Sequence, residues 1–149
     1  MSFTEFIISK GISPSEWNTF RDENYKITGF ENTCVVTETT LRNIGKERSL
    51  YLVSNNSQKT IIRILNEMSI PKHLFECIYS SNDMINLYKK CTKKHIYQHI
   101  KAELGCSYQD MLAIGDRYIS DLKPLIDFGG NGILVDSPTE IEGIALILN

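Results

Sequence analysis

No apolar run in the sequence approaches the roughly 20 residues that a membrane-spanning helix needs. Residues 1–8 also lack the basic start and the long apolar core of a secretory signal peptide. The cysteines, Cys34, Cys77, Cys91 and Cys106, include no C-x-x-C pair and have no spacing typical of zinc ligands. We therefore expect a reduced, cytoplasmic setting and no membrane partner.

An excess of charge of one sign is absent as well. The formal net charge of −2 gives no general attraction to nucleic acid or to an anionic membrane. The densest basic run, Lys89–Lys94, is short and contains no aromatic side chain that could stack on bases. It is interpreted as a solvated helix end, with a local anion site as the alternative. We expect no nucleic-acid partner.

The chain is too short for two ordinary domains, since 149 residues suffice for one. Short apolar runs alternate with amphipathic stretches from residue 50 onwards, which predicts strands alternating with helices. The predicted strands are Leu50–Val53, Cys77–Ser80, Met111–Ile114 and Ile133–Val135. The clearest predicted helices are Asn82–Lys90, Lys93–Leu104 and Thr139–Leu148.

This alternation predicts an α/β fold, with a Rossmann-like parallel sheet covered by helices on both faces. Right-handed crossovers then bring the carboxyl ends of all the strands to one edge of the sheet. That edge is expected to carry Ser54, Ser80, Asp116 and Asp136.

The first 48 residues have a different pattern. Ser13, Pro14 and Glu16 match a helix start, with Ser13 as the cap, Pro14 at the first helical position and Glu16 three residues after the cap. Helices ahead of the first strand predict a small helical appendage. We divide the chain into residues 1–36, a helical segment, and residues 37–149, an α/β core.

Three features at the strand ends carry chemistry. Ser54 follows a buried strand and precedes a helix, where a hydroxyl and free backbone N–H groups favour an anion; a simple helix cap is the alternative. Lys93 and Lys94 open a later helix, although cations are unfavourable at a helix N-terminus. Water on an exposed helix or a bound anion would explain them.

The third feature is Gly115-Asp116 after the third predicted strand, with Asp121 five residues further on. The loop can turn both carboxylates toward one point, and paired carboxylates suit Mg²⁺. Alternatively, Asp116 lies in a turn and Asp121 in the first turn of the next helix.

In this order the three features resemble the haloacid dehalogenase (HAD) superfamily, over about residues 37–135. Leu52–Ser57 looks like the second motif of that family, whose hydroxyl holds the transferring phosphoryl group. Lys94, or its neighbour Lys93, looks like the lysine of the third motif. The resemblance implies that Ser54, Asn55 and Lys94 bind phosphate.

Ile114–Arg117 together with Asp121 looks like the fourth motif of the family. The resemblance implies that Asp116 and Asp121 hold Mg²⁺. It also makes residues 1–36 the remnant of a helical cap.

The first motif of the family, Asp-x-Asp-x-Thr, is absent. The acidic residues before Ser54 do not follow an apolar strand in the required pattern; they are Glu5, Glu16, Asp22, Glu23, Glu31, Glu38 and Glu47. Thr33–Thr37 could form a strand but carries no aspartate, and its place matches the segment that returns from a family cap. In family members the missing strand lies in the middle of the sheet, so its loss would open the fold.

The resemblance therefore implies a Mg²⁺-dependent phosphatase of a small phosphorylated metabolite that is inactive or impaired as this chain. Without a nucleophilic carboxylate the aspartyl-phosphate route is closed. The sequence could then be a truncated gene product, half of a split protein, or a domain that kept the fold and lost the chemistry.

The alternative is a non-catalytic binding or scaffold domain. An exposed sheet edge recruits another chain by strand addition, so a homo-oligomer or a partner chain could complete the sheet. A third hypothesis, a doubly wound domain for a nucleotide or flavin, is less favoured. The sequence has no G-x-G-x-x-G after the first strand and no G-x-x-x-x-G-K-[ST] motif.

Overall fold

The structure is a computed structural model, and it describes residues 9–24, 38–81, 92–137 and 139–148. Within these ranges short parallel strands are joined by helices. The helices are α1 (Pro14–Asn24), α2 (Glu38–Ile44), α3 (Gln58–Glu67), α4 (Lys93–Leu104), α5 (Lys123–Ile126) and α6 (Thr139–Ile147). The strands are β1 (Tyr51–Ser54), β2 (Cys77–Ser80), β3 (Leu112–Gly115) and β4 (Asn131–Leu134).

The strands form two parallel pairs. β1 pairs with β2, with Tyr51 opposite Cys77, and β3 pairs with β4, with Leu112 opposite Asn131. The predicted α/β class with parallel strands is confirmed. In the described residues these pairs are two separate two-stranded sheets.

Three of the four strands differ from their predicted bounds because pairing, rather than apolarity, sets the ends of a strand. β1 and β3 each begin and end one residue later than predicted. β4 begins at Asn131 and ends at Leu134, whereas Ile133–Val135 was predicted. Gly132 lies opposite Ala113 in the ladder, so the strand includes this glycine.

Several predicted helix signals are confirmed. Ser13 Oγ accepts a hydrogen bond from Glu16 N at 3.2 Å, and Ser13 N donates to Glu16 Oε2 at 2.9 Å, so the capping box forms. α4 has the predicted bounds, and Gly105 ends it in the left-handed conformation with φ 62°. The predicted helix Asn82–Lys90 and the possible strand Thr33–Thr37 lie outside the described residues.

The core consists of apolar clusters on opposite faces of β1. Leu52 packs with the α3 residues Ile61 and Leu65, whereas Val53 packs with the cluster around Ile96 on α4. Alternate side chains of a strand point to opposite faces, which is consistent with the different clusters that Leu52 and Val53 contact. None of the described helices combines the length and apolarity needed to cross a bilayer.

Candidate functional site at the carboxyl ends of the strands

The carboxyl ends of β1 and β2 carry a connected group of small polar side chains. Ser54 lies opposite Ser80, and Ser81 N donates to Ser54 O at 3.0 Å. Ser80 Oγ donates to Asn56 O at 2.6 Å, and Ser81 Oγ donates to Asn55 Oδ1 at 2.9 Å. Asn56 N donates to Ser54 Oγ at 3.1 Å. These bonds fix the loop after β1 and hold the Ser54 hydroxyl at the strand end.

The first turn of α3 is occupied by a carboxylate from α1. Asp22 Oδ1 accepts hydrogen bonds from Ser57 Oγ at 2.6 Å and from Thr60 Oγ1 at 2.5 Å. Ser57 is also the cap of α3, since its Oγ accepts from Thr60 N at 3.2 Å. A negative charge is favourable at a helix N-terminus. Asp22 therefore joins α1 to the loop that carries Ser54.

Lys93 and Asp121 form a shielded ion pair. Lys93 Nζ lies 2.8 Å from Asp121 Oδ1, and the two side chains are only 13% and 11% exposed. The pair joins the start of α4 to the loop after β3. Both charges are largely removed from water, so each depends on the other for stabilisation.

Further hydrogen bonds hold Asp121. Ser120 Oγ donates to its Oδ1 at 2.7 Å, Arg117 N donates to its Oδ2 at 3.2 Å, and Tyr97 Oη donates to its backbone carbonyl at 2.7 Å. Burial raises the pKa of the Asp121 carboxyl, but the hydrogen bonds from Lys93 and Ser120 and the charge of Lys93 outweigh burial and lower it below its ordinary value. Asp121 is therefore ionised at neutral pH.

The other two predicted site residues lie elsewhere. The Asp116 side chain is 70% exposed, and its Oδ2 lies 3.8 Å from Arg117 Nε. Lys94 Nζ lies 5.3 Å from the centre of the Phe128 ring, in cation–π geometry. Of the two candidate lysines, Lys93 is the one that reaches the loop after β3.

Ser54, Lys93 and Asp121 share one cavity of about 730 Å³, which we call the central cavity. Residues of β1 and β3 line it, together with residues of α2, α3 and α4. Apolar side chains form most of its lining, and charged residues also line it before β1 and β3, namely Glu47, Arg48 and Asp110. The geometry combines a hydroxyl, an ammonium group and a carboxylate in the lining of a space large enough for a small molecule.

The described residues do not by themselves form a magnesium site. No group of three or more His, Cys, Asp or Glu side chains in the described ranges could hold a metal ion. Asp121 is already neutralised by Lys93, and Asp116 points toward solvent. Mg²⁺ needs several oxygen ligands in near-octahedral geometry, and two carboxylates in these positions do not supply them.

Two contributors to the site were not identified from the sequence. Tyr97 is one of them, since its hydroxyl donates to the backbone carbonyl of Asp121. Asp22 was considered only as a poor nucleophile candidate, and its role as a partner of Ser57 had no sequence signal. The residues lie 35 positions apart, so only the tertiary structure brings them together.

A scan against protein-family models gives no match, and a search of the curated proteins gives none either. The assignment of a function therefore depends on the residues of this chain.

Proposed function

We propose that this chain is a HAD-like hydrolase domain whose central cavity binds a small phosphorylated metabolite. The observation that carries the proposal is that Ser54 lines the same cavity as the Lys93–Asp121 ion pair. The sequence order of these residues resembles the phosphate-site motifs of the HAD superfamily. A Rossmann-like arrangement of the two strand pairs, with helices on both faces, belongs to the same proposal.

The phosphate would be held by a hydroxyl and a cation. Ser54 Oγ lies at the end of β1, and Asn55 follows it in the loop. Lys93 Nζ has three N–H donors and uses one of them for Asp121. The other two can donate to phosphate oxygens. Charge-assisted hydrogen bonds of this kind are roughly twice as strong as neutral ones.

We assign the phosphate-neutralising role to Lys93 rather than to Lys94. Lys93 lines the central cavity, whereas the Lys94 ammonium lies over the Phe128 ring. The negative charge of Asp121 keeps Lys93 in place when no ligand is bound. An arriving phosphate would share the ammonium with that carboxylate.

In this proposal the chain binds the phosphorylated molecule without forming a phosphoenzyme. No aspartate precedes Ser54 in the pattern of the first motif, so no covalent step is assigned. The Mg²⁺ ion that the resemblance implies would have Asp116 and Asp121 as its ligands. Asp121 is paired with Lys93, so the proposed phosphate binding does not depend on a metal.

A hydrolysis assay tests the lack of catalysis. The purified 149-residue chain is incubated with p-nitrophenyl phosphate and Mg²⁺, beside Ser54→Ala and Asp116→Asn. We expect no hydrolysis above the buffer rate in any of the three proteins. Hydrolysis by the unmodified chain that disappears in Ser54→Ala would show that the site is catalytic and that a nucleophile is present.

A second candidate function, non-catalytic binding through a sheet edge, is favoured by a separate observation. Within the described residues, β1 and β3 each pair on one side only. Both strands line the central cavity, and in this second candidate function a partner chain adds a strand at one of these edges.

A further inference from the structure

The residues of α4 that line the central cavity form a single row, which we call the α4 stripe. They are Lys93, Tyr97, Ile100 and Leu104, at spacings of four, three and four residues. Residues at such spacings lie on one face of a helix. The stripe spans about 16 Å, since an α-helix rises about 1.5 Å per residue. It begins with a cation and continues through the Tyr97 ring to apolar side chains.

A second helix supplies apolar side chains to the same cavity. Ile61 and Leu65 of α3 line it, together with Met68, the residue that follows α3. Their spacings of four and three residues again place them on one face of the helix. The cavity therefore has apolar walls on two helices, and a purely polar ligand would leave both walls without a partner.

The α4 stripe is buried in its middle and exposed at its C-terminal end. Tyr97 and Ile100 are buried. Leu104 is 48% exposed and Leu112, the first residue of β3, is 39% exposed, although both line the cavity. Exposed apolar side chains grouped at a cavity are typical of ligand-binding grooves. An apolar ligand in the cavity would cover these two leucines.

The charged residues that line the cavity form two groups. The first is the Lys93–Asp121 ion pair, which is neutral overall and leaves Lys93 with N–H donors that Asp121 does not use. The second group consists of Glu47, Arg48 and Asp110, which precede β1 and β3. Its carboxylates outnumber its one cation, so an anion is less favourable there. The head of an anionic ligand therefore belongs beside Lys93, at the N-terminal end of the α4 stripe.

We propose that the central cavity binds the phosphate monoester of a linear alkyl alcohol, with the phosphate at Ser54 and Lys93 and the alkyl chain along the α4 stripe. The inference rests on the proposed function for the position of the phosphate, and it adds the chemical class of the ligand. An extended alkyl chain advances about 1.3 Å per carbon, because each C–C bond is about 1.5 Å long. The stripe therefore accommodates about 12 carbons, and the end of such a chain reaches Leu104.

Isothermal titration calorimetry of the full chain with butyl phosphate and octyl phosphate tests the inference. Each methylene group that leaves water for the cavity should strengthen binding about fourfold. Octyl phosphate should therefore bind at least about a hundredfold more tightly than butyl phosphate. Octanol has the same chain without the phosphate, and it should bind at least about tenfold more weakly than octyl phosphate, because it makes no charged hydrogen bond to Lys93.

Dodecyl phosphate, below its micelle concentration, locates the chain. Its terminal methyl group should give nuclear Overhauser effects to the methyl groups of Leu104. Leu104→Gln should weaken dodecyl phosphate at least about fivefold and leave butyl phosphate unchanged, since only the longer chain reaches this position. Leu146→Gln is the matched control, because Leu146 is an exposed leucine of α6 outside the cavity lining, and its affinities for both ligands should match those of the unmodified chain.

The contradicting results separate this inference from the proposed function. Inorganic phosphate that binds as tightly as octyl phosphate would overturn the inference and leave the anion site standing. Equal losses of dodecyl phosphate affinity in Leu104→Gln and Leu146→Gln, or contacts of the terminal methyl group near Ser54, would do the same. Equal affinities for octanol and octyl phosphate would overturn both, since the phosphate would then contribute nothing to binding.

Discussion

Asp121 lies so close to Gly115 that a Cβ atom built on Gly115 would stand 2.8 Å from Asp121 Cβ and 3.0 Å from Asp121 Oδ2. The π-helical turn Tyr118–Leu122 brings Asp121 back over the end of β3. A glycine at a strand end permits a sharp turn. The structure gives another reason, because Gly115 is the last residue of β3 and its missing side chain makes room for a carboxylate.

We predict that Gly115→Ala destabilises the fold by about 2 kcal/mol, because the added methyl group must push Asp121 away from its hydrogen bonds. Urea unfolding measures the change. Gly143→Ala is the matched control, since a Cβ at that position of α6 meets no atom within 4 Å. That substitution should stabilise the chain by about 0.5 kcal/mol or more, because alanine is the better helix former. Equal effects at the two positions would contradict this description of the Asp121 loop.

The buried ion pair gives a second prediction. Asp121→Asn should reduce the free energy of unfolding by about 3 kcal/mol, since it leaves the Lys93 ammonium without its charge partner in a shielded position. Lys93→Met should destabilise the chain comparably.

The control for the ion pair is Lys123–Asp127, a pair of similar length at 2.6 Å with both side chains about half exposed. Exposed pairs contribute little, so Asp127→Asn should leave the urea midpoint unchanged. A loss at Asp127 as large as that at Asp121 would mean that burial does not distinguish the two pairs.

Alkaline pH provides a third prediction, through Tyr97. Burial, followed by the negative charge of Asp121, raises the pKa of Tyr97 to about 12. In the unfolded chain a tyrosine loses its proton near pH 10. The contribution of Tyr97 to the free energy of unfolding is therefore fully present below about pH 10. It decreases by about 2–3 kcal/mol as the pH rises toward 12.

Tyr97→Phe should remove this part of the alkaline loss, and at neutral pH it should cost about 1 kcal/mol for the hydrogen bond to Asp121 O. Thermal unfolding between pH 8 and about pH 12 measures the difference. Tyr118→Phe, at a half-exposed position, should follow the unmodified chain at every pH. If the unfolding temperatures of Tyr97→Phe and the unmodified chain fell in parallel with rising pH, Tyr97 would not be the source of the alkaline loss of stability.

Local features of the fold could be predicted from the sequence because neighbouring residues determine them. The capping box at Ser13 and Glu16 and the left-handed end of α4 at Gly105 both depend on a few consecutive residues. The ends of β1 and β3 were each displaced by one residue, because strand ends depend on which partner strand is present.

The site was less predictable. Lys93 and Lys94 are adjacent in the first turn of α4, and the sequence does not show which one faces the loop after β3. In the structure Lys93 contacts Asp121 and Lys94 contacts the Phe128 ring. The orientation of α4 about its own axis determines which lysine faces which partner. Asp121 lies in the π-helical turn Tyr118–Leu122, whereas Asp116 precedes that turn and is exposed.

The central claim, that Ser54 and Lys93 form an anion site, is tested most directly by titrating the chain with inorganic phosphate and recording amide chemical shifts. We predict saturable shifts near Ser54 and Lys93, and at least about tenfold weaker binding in Lys93→Met, since a charged hydrogen bond contributes about 1.5–3 kcal/mol. The double variant Lys93→Met/Asp121→Asn separates loss of binding from loss of stability. Lys101→Met, on the same helix with its ammonium over the Tyr108 ring, should bind like the unmodified chain. Equal affinity in Lys93→Met and Lys101→Met, or no saturable shift near Ser54, would contradict the proposed site.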